Sequence, residues 1–229
     1  MKNIGGKLLT YAWGEPVVTS WLKGLNLNLE SKILDVGSGL GSHLKELHNI
    51  GFQDLTGVDP FIKKTKIYSD QFRILKKNLN EIEGPFDFIM MNHSLEHIYD
   101  QFETLTQINR LLKDDGHALI RIPLTGTFAW KKYKSNWVQL DAPRHLFLHS
   151  KESFSILAKK TNFDIKKIVF DSTEFQFTGS EGYLQGKALT ESEESIFTRK
   201  EINEFKEKAQ TLNNDMDGDQ ACFFLQKTN

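Results

Sequence analysis

Glycines and carboxylates with the spacing of a nucleotide-binding turn occur in residues 33–59. The letters read ILDVGSGLGS, then a helical pattern, then TGVD. An apolar strand leads into a turn built on Gly37, Gly39 and Gly41, where the missing Cβ atoms let backbone N–H groups approach a ligand closely. Asp59 ends the next strand, where it can accept hydrogen bonds from both hydroxyls of a ribose. The pattern predicts the mononucleotide-binding half of a doubly wound sheet.

Two residues narrow the choice of nucleotide. Ser42 stands where a dinucleotide fingerprint has its third small residue, and Gly41 instead closes a tight G-x-G-x-G turn. Asp35 adds a carboxylate at the strand tip, which would repel a pyrophosphate but would suit a ligand with positive charge. S-adenosylmethionine meets this requirement, because it carries an ammonium and a sulfonium and no phosphate.

With its D-x-G-x-G-x-G pattern between a strand and a helix, the segment resembles motif I and the acidic loop of class I S-adenosylmethionine-dependent methyltransferases. The resemblance implies an enzyme with an α/β fold, a Rossmann-like doubly wound mixed sheet of seven strands whose last strand is antiparallel. It also implies a single methyltransferase domain over residues 1–229. Within it we expect an N-terminal helical segment (1–30), an acceptor-side loop (124–150) and an insertion or lid (173–197).

The resemblance implies further cofactor contacts outside the glycine turn. Class I enzymes often lay an N-terminal aromatic segment over the cofactor, and this role falls on Tyr11 or Trp13, although core packing is the alternative. The loop after the third strand supplies adenine contacts, which correspond here to Asn78 and Leu79. Asn78 stands where the family commonly has an acid; its amide can still hydrogen-bond an amino group, and a solvated loop is the alternative. Asn92 ends the fourth strand, at the edge where open α/β sheets bind ligands.

Two histidines are candidates for the chemical step. A hydroxyl acceptor must lose a proton during methyl transfer, and a histidine can accept one near neutral pH. His93 opens the H-S-L-E-H stretch after the fourth strand, which resembles the L-E-H segment of many small-molecule methyltransferases. His145 lies in a D-x-P-R-H stretch similar to one in bacterial methyltransferase-domain enzymes. His145 is the first choice as base and His93 the second, with a structural hydrogen bond as the alternative for His145.

The H-S-L-E-H stretch also fits H-x-x-E-H, a zinc-protease pattern. That site needs both histidines on one active-site helix together with a third ligand. Here His93 lies at a strand end inside a methyltransferase-like order of elements. The sequence therefore predicts no metal site.

Composition limits the class of partner. A formal net charge of −1 gives no general attraction to nucleic acid, so we expect no nucleic-acid partner. The single cysteine, Cys222, fits a reducing compartment, and no apolar run is long enough to span a bilayer. These features predict a cytoplasmic protein without a membrane span, and they leave its oligomeric state open.

The segment after the fifth strand favours a small-molecule acceptor. Loops beyond the strand ends of a rigid sheet often carry function. This loop is rich in aromatic and basic residues, namely Phe128, Trp130, Lys131, Lys132, Tyr133, Lys134 and Trp137. We expect a hydroxyl acceptor on a sugar, a lipid-linked saccharide or a quinone or aromatic precursor. The alternatives are a non-catalytic methyltransferase-like binding or activating subunit and an NAD-dependent oxidoreductase.

The remaining pattern predicts several further elements. We expect a brief helix over residues 62–67, a turn at 114–116 and an irregular segment over 172–195. An amphipathic helix over 198–212 and a last strand over 221–225 are expected to close the chain.

Overall fold

The computed structural model describes residues 17–191 and 193–228. These residues contain eight strands: β1 (Ile33–Val36), β2 (Leu55–Val58), β3 (Lys66–Ile67), β4 (Phe72–Leu75), β5 (Phe86–Asn92), β6 (Leu112–Pro123), β7 (Phe163–Phe170) and β8 (Gln220–Lys227). They form one sheet in the order β3-β4-β2-β1-β5-β6-β8-β7.

The strand directions confirm the predicted fold class. Strands β4, β2, β1, β5 and β6 run parallel, and β8 pairs antiparallel with both β6 and β7. The last strand is therefore antiparallel, as expected. The sheet has one strand more than the expected seven. The additional strand is β3, a two-residue strand antiparallel to β4 at the sheet edge. β3 occupies part of the region predicted to be a brief helix, and that prediction is wrong because Lys66 and Ile67 pair with the neighbouring strand.

Eight helices accompany the sheet in the described residues: α1 (Val17–Leu22), α2 (Ser42–Asn49), α3 (Gln101–Leu111), α4 (Phe128–Tyr133), α5 (Lys151–Lys160), α6 (Phe175–Leu184), α7 (Glu193–Ile196) and α8 (Arg199–Asn214). Side-chain caps fix the start of three of them. Asp100, Ser150 and Thr198 each accept a hydrogen bond from the backbone N–H three residues later, at the first turns of α3, α5 and α8.

The core lies on both faces of the central strands, because β1 and most of β5 are buried on both sides. On one face Ile33 and Phe88 pack with α1 and α2. On the other face the neighbouring residues Leu34 and Ile89 pack with α3 and α5. This two-sided burial holds the strand ends rigidly, and the functional side chains lie at those ends.

Two local predictions are wrong. Residues 114–116 lie inside β6 instead of a turn, since β6 pairs with β5 from Leu112 onward with a register irregularity. Residues 175–184 of the segment expected to be irregular form α6, whose middle is buried. Gly179 allows this burial, because a Cβ there would lie 2.5 Å from Val138 Cγ2. Among residues 17–191 and 193–228, the helices are too short or too polar to span a lipid bilayer.

Candidate functional site

The turn between β1 and α2 is tied to the end of β2. Backbone N–H groups of Gly37 and Ser38 donate to the carbonyl of Val58, at 2.8 and 3.3 Å. The N–H of Gly39 donates to Asp59 Oδ2 at 3.0 Å. The glycine turn and the acid predicted to bind ribose therefore form one unit at the carboxyl ends of two neighbouring strands.

The three glycines of this turn have positive φ angles, and each has a different environment. A Cβ at Gly37 would lie 2.5 Å from Ser94 Cβ, and a Cβ at Gly41 would collide with the Ile74 side chain. A Cβ at Gly39 would meet no heavy atom of the described chain within 4 Å. Packing therefore explains two glycines, whereas Gly39 borders open space from which a ligand can approach the backbone.

The carboxylate of Asp59 is oriented by the backbone on both sides. Oδ2 accepts from Gly39 N–H, and Oδ1 accepts from Phe61 N–H at 2.8 Å. Each oxygen of a carboxylate has more than one acceptor position. The half-buried Asp59 therefore keeps acceptor capacity for two ligand hydroxyls.

Asp35 places a second carboxylate beneath the turn, and it is 2% exposed. Burial, together with the negative charge of Asp59, raises the pKa of Asp35 to about 7. A cationic ligand group beside Asp35 would stabilise its ionised form, whereas a pyrophosphate would oppose it. The residues present therefore fit S-adenosylmethionine, and they fit a dinucleotide poorly.

Asn78 and Leu79 lie where the third parallel strand, β4, has ended. Asn78 is the N-cap of a 3₁₀ turn over Leu79–Glu81, and its backbone N–H donates to Glu81 Oε2 at 2.7 Å. The side-chain nitrogen Nδ2 of Asn78 donates to the same oxygen at 3.2 Å. Asn78 is exposed and Leu79 is half-buried against the core, so both remain predicted adenine contacts on a loop held in shape by Glu81.

Asn92 belongs to a polar network across the ends of β5 and β6. Its Oδ1 accepts from an Arg121 terminal nitrogen at 3.0 Å, and its Nδ2 lies 3.0 Å from His43 Nε2. Arg121 Nε donates to Asp171 Oδ2 at 2.7 Å. Burial lowers the pKa of His43, whose ring meets the edge of Trp21 at 5.1 Å between centroids. This network fixes Asn92 at the strand tip.

His93 follows β5 directly and has a φ of 47°, a conformation that costs a non-glycine residue about 1–3 kcal/mol. Its Nδ1 lies 3.2 Å from Oε1 of Glu96, a carboxylate with a 2% exposed side chain. The His93 side chain itself is 28% exposed. A carboxylate at Nδ1 favours the tautomer with the proton on that nitrogen, which leaves the Nε2 lone pair available.

His145 lies against the same carboxylate. Its Nδ1 is 2.7 Å from the carbonyl oxygen of Gln139, and its Nε2 lies 3.7 Å from Asp141 Oδ2 and 4.0 Å from Glu96 Oε1. The side chain is 6% exposed. The structure thus brings the two predicted catalytic histidines together around Glu96, with His93 on the open side and His145 inside.

A surface cavity of about 440 Å³ lies in the segment after β6. It is lined by Trp130, Lys131, Lys134, Ser135 and Leu140. The predicted acceptor-side loop therefore contains a concave surface with aromatic and basic groups.

Comparison with known proteins decides the family. A family model described as a methyltransferase domain matches residues 12–168, which is more than half of the 229 residues. The chain is a member of the class I S-adenosylmethionine-dependent methyltransferase family. This confirms the resemblance seen in the glycine turn, and it favours methyl transfer over NAD-dependent oxidation.

Solved structures share the fold of this methyltransferase at low identity. The mycolic acid cyclopropane synthase CmaA1, in a complex with SAH and CTAB, is 16% identical with a TM-score of 0.60 over 92% of this chain and 82% of that chain. A putative sarcosine dimethylglycine methyltransferase from Galdieria sulphuraria is 15% identical, with a TM-score of 0.60 over 92% and 84%. A SAM-dependent methyltransferase from Archaeoglobus fulgidus is 20% identical, with a TM-score of 0.54 over 91% and 89%. Among curated proteins no match was found.

Sequence reasoning about the methyltransferase missed three residues of this edge of the sheet. Glu96 joins the two histidines, and His43 and Arg121 hold Asn92. Arg121 had a signal, because a charged residue inside an apolar strand requires a buried partner. Tyr11, predicted to cover the cofactor, lies outside the described residues, as does Trp13.

Proposed function

We propose that this methyltransferase transfers the methyl group of S-adenosylmethionine to a hydroxyl of a small molecule. The acceptor class is a sugar, a lipid-linked saccharide or a quinone or aromatic precursor. The observation that carries the proposal is the His93–Glu96 pair beside the glycine turn. Ser94, which follows His93, donates from its Oγ to the carbonyl of Val36 at 2.9 Å. Val36 directly precedes Gly37, so this hydrogen bond holds the His93–Glu96 pair next to the glycine turn.

The proposed cofactor contacts follow from the geometry of the strand ends. Asp59 accepts from the ribose hydroxyls, and Gly39 leaves room for close approach of the ligand. Asp35 stabilises the positively charged end of S-adenosylmethionine. The bound cofactor supplies an electrophilic methyl group on a sulfonium.

Three further proposed contacts complete the cofactor site. Asn78 and Leu79 border the adenine. Asn92, held by His43 and Arg121, closes the site at β5.

His93 is the better placed of the two histidines to receive the proton of the acceptor. Glu96 holds the proton on Nδ1 of His93, whose side chain is 28% exposed, so the lone pair of Nε2 can accept one. His145 directs both ring nitrogens at protein groups and is 6% exposed. We therefore propose His93 as the base and His145 as a positioning residue for Glu96, which reverses their predicted order.

Release of S-adenosylhomocysteine in the presence of candidate acceptors tests this function. The panel contains sugars, nucleotide-linked sugars and phenols, with the amine sarcosine as an acceptor of a different class. Acceptor-dependent release with a hydroxyl compound, lost in His93→Gln, is the expected result. Release with amines alone would contradict the hydroxyl assignment while leaving methyl transfer in place.

A further inference from the structure

A second chemical feature shares Glu96 and His145 with the proposed methyl-transfer site, and it rests on the geometry of these residues and not on the proposed function. We propose that Glu96, His97 and His145 form a binding site for a divalent transition-metal ion, with Zn²⁺ as the ion that suits these ligands best. One ligand atom from each residue lies within 4.8 Å of the others. Two histidines and a carboxylate are a ligand set that proteins use for zinc.

The backbone leaves the Nε2 atoms of both histidines available to a metal. His97 Nδ1 lies 2.9 Å from the carbonyl oxygen of Arg144, and His145 Nδ1 lies 2.7 Å from that of Gln139. A carbonyl oxygen only accepts, so each Nδ1 carries the proton and donates it. In a neutral ring the lone pair is then on Nε2. Metal-binding histidines commonly donate their other N–H to a carbonyl in this way, because the hydrogen bond fixes the tautomer and the ring orientation.

Glu96 supplies an independent observation that favours a cation at this position. Its side chain is 2% exposed, and its Oε2 has no hydrogen-bond partner in the described part of the chain. Oε1 already faces His93 at 3.2 Å. A buried carboxylate oxygen without a donor is costly, and a bound cation would satisfy it. The proposed arrangement uses Oε2 for the metal and leaves Oε1 with His93.

Asp141 is placed to add a fourth ligand. Its Oδ1 accepts two hydrogen bonds from Arg144, at 2.7 and 3.0 Å. Its Oδ2 lies 3.7 Å from His145 Nε2. Asp141 has a φ of 37° and a ψ of 40°, which lie in the left-handed region.

The distances are close to those of a loaded site. Ligand atoms around a tetrahedral zinc lie about 3.4 Å apart, given zinc–nitrogen bonds of roughly 2.0–2.1 Å. The Nε2 atom of His145 is 3.7 Å from Asp141 Oδ2, and one ligand atom each of Glu96, His97 and His145 lie within 4.8 Å of one another, so small side-chain rotations close the gap. Exposed His97 gives an ion access from solvent. Since Leu146 N–H already donates to the Glu96 carbonyl at 2.8 Å, the metal would strengthen an existing link between the loop and the end of β5.

The other explanation of this cluster is a set of side chains that contact one another without a metal ion. Calorimetric titration of chelator-treated protein with ZnCl₂, without cofactor or acceptor, distinguishes the two. We expect one equivalent of Zn²⁺ to bind to the wild-type protein, and Co²⁺ in its place to give the visible absorption of a tetrahedral site. His97→Gln, at an exposed position, should lower Zn²⁺ affinity at least tenfold.

His117→Gln is the matched control, because His117 lies on β6 against Gln226 and outside the cluster. It should bind Zn²⁺ like the wild type. Failure of the wild type to bind one equivalent would overturn the proposal. The proposal would also be overturned if His97→Gln and Glu96→Gln bound Zn²⁺ with the affinity of the wild type. The same holds if His117→Gln lost as much Zn²⁺ affinity as His97→Gln. None of these outcomes depends on methyl-transfer activity.

Discussion

The surface formed by the strand ends has a glycine-turn side and a histidine side, and the carboxylates on the two sides have different partners. On the glycine-turn side, Asp59 accepts from the N–H groups of Gly39 and Phe61, and burial together with the charge of Asp59 raises the pKa of Asp35. On the histidine side, Glu96 meets His93 and His145. The first side is prepared for a ligand that brings positive charge. The second side already contains groups that can hold or move a proton.

The two sides also differ in how the chain builds them. Gly39 and Asp59 are separated by 20 residues and belong to one strand–helix–strand unit. His97 and Arg144 are separated by 47 residues and meet only because the loop after β6 returns to β5. The glycine-turn side is a local unit whose residue spacing can be recognised in the sequence, whereas the histidine side depends on the path of one long loop.

The largest effect is expected from His93→Gln. Loss of a general base lowers turnover by about 10²–10⁴-fold, whereas the affinity for S-adenosylmethionine should stay unchanged because His93 is assigned to the acceptor side. Steady-state kinetics and cofactor titration measure both quantities. The paired variant His145→Gln should have a smaller effect on turnover. The reverse order would restore His145 as the base.

Substitution of glycines separates packing from ligand access. Gly41→Ala should lower the free energy of unfolding by about 1–3 kcal/mol, since the new Cβ collides with Ile74 at a φ of 72°. Gly39→Ala meets open space, so it should reduce stability less and reduce cofactor affinity more. Thermal unfolding and calorimetry of both variants provide the measurement. Equal losses of stability would remove the distinction between the two positions.

Asp59→Ala should weaken binding of S-adenosylmethionine by about 1–3 kcal/mol, because the ribose hydroxyls would lose their acceptor. Asp54→Ala, before β2, is a suitable control on the same part of the chain. Calorimetric titration of both variants measures the difference. Unchanged affinity in Asp59→Ala would show that the carboxylate serves only to hold the Gly39 and Phe61 N–H groups.

Much of the glycine-turn side and of the sheet could be predicted from sequence. The bounds of β1, β2 and β4 follow apolar runs between turn residues, and α3 and α8 begin after the capping residues Asp100 and Thr198. Periodicity fails where burial is uniform or pairing is very short. α6 is buried through its middle and therefore has no polar face, and β3 has only two residues.

On the histidine side, the sequence predicted the two histidines but not the side chains that they contact. Both histidines were identified, but the contact of each with Glu96 was not. His93 and Glu96 are only three residues apart, whereas the contact of His145 with Glu96 depends on the loop path that brings Leu146 N–H to the Glu96 carbonyl. The order of the two histidines as base candidates depends on the same contact.

A pH dependence of stability is expected from Asp35. Burial and the charge of Asp59 raise the pKa of Asp35 to about 7 in the folded protein, above its ordinary value of 3.8. Between these two values the folded state keeps a proton that the unfolded state has lost, so the free energy of unfolding should fall as pH rises and level off above about pH 7. Asp35→Asn should therefore gain stability relative to the wild type over this range. Denaturant unfolding at pH 4.5, 6 and 7.5 checks it, and a constant difference would contradict the assignment.

Calorimetric titration of the wild-type protein with S-adenosylmethionine, S-adenosylhomocysteine and NAD tests the central claim most directly. The account predicts that both sulfur compounds bind with one-to-one stoichiometry and that NAD does not, because Asp35 opposes a pyrophosphate at the glycine turn. It also predicts that S-adenosylmethionine affinity rises between pH 6 and pH 8, because Asp35 is increasingly ionised over this range and then need not release a proton when the cofactor binds. Binding of NAD without a response to either sulfur compound would contradict the account.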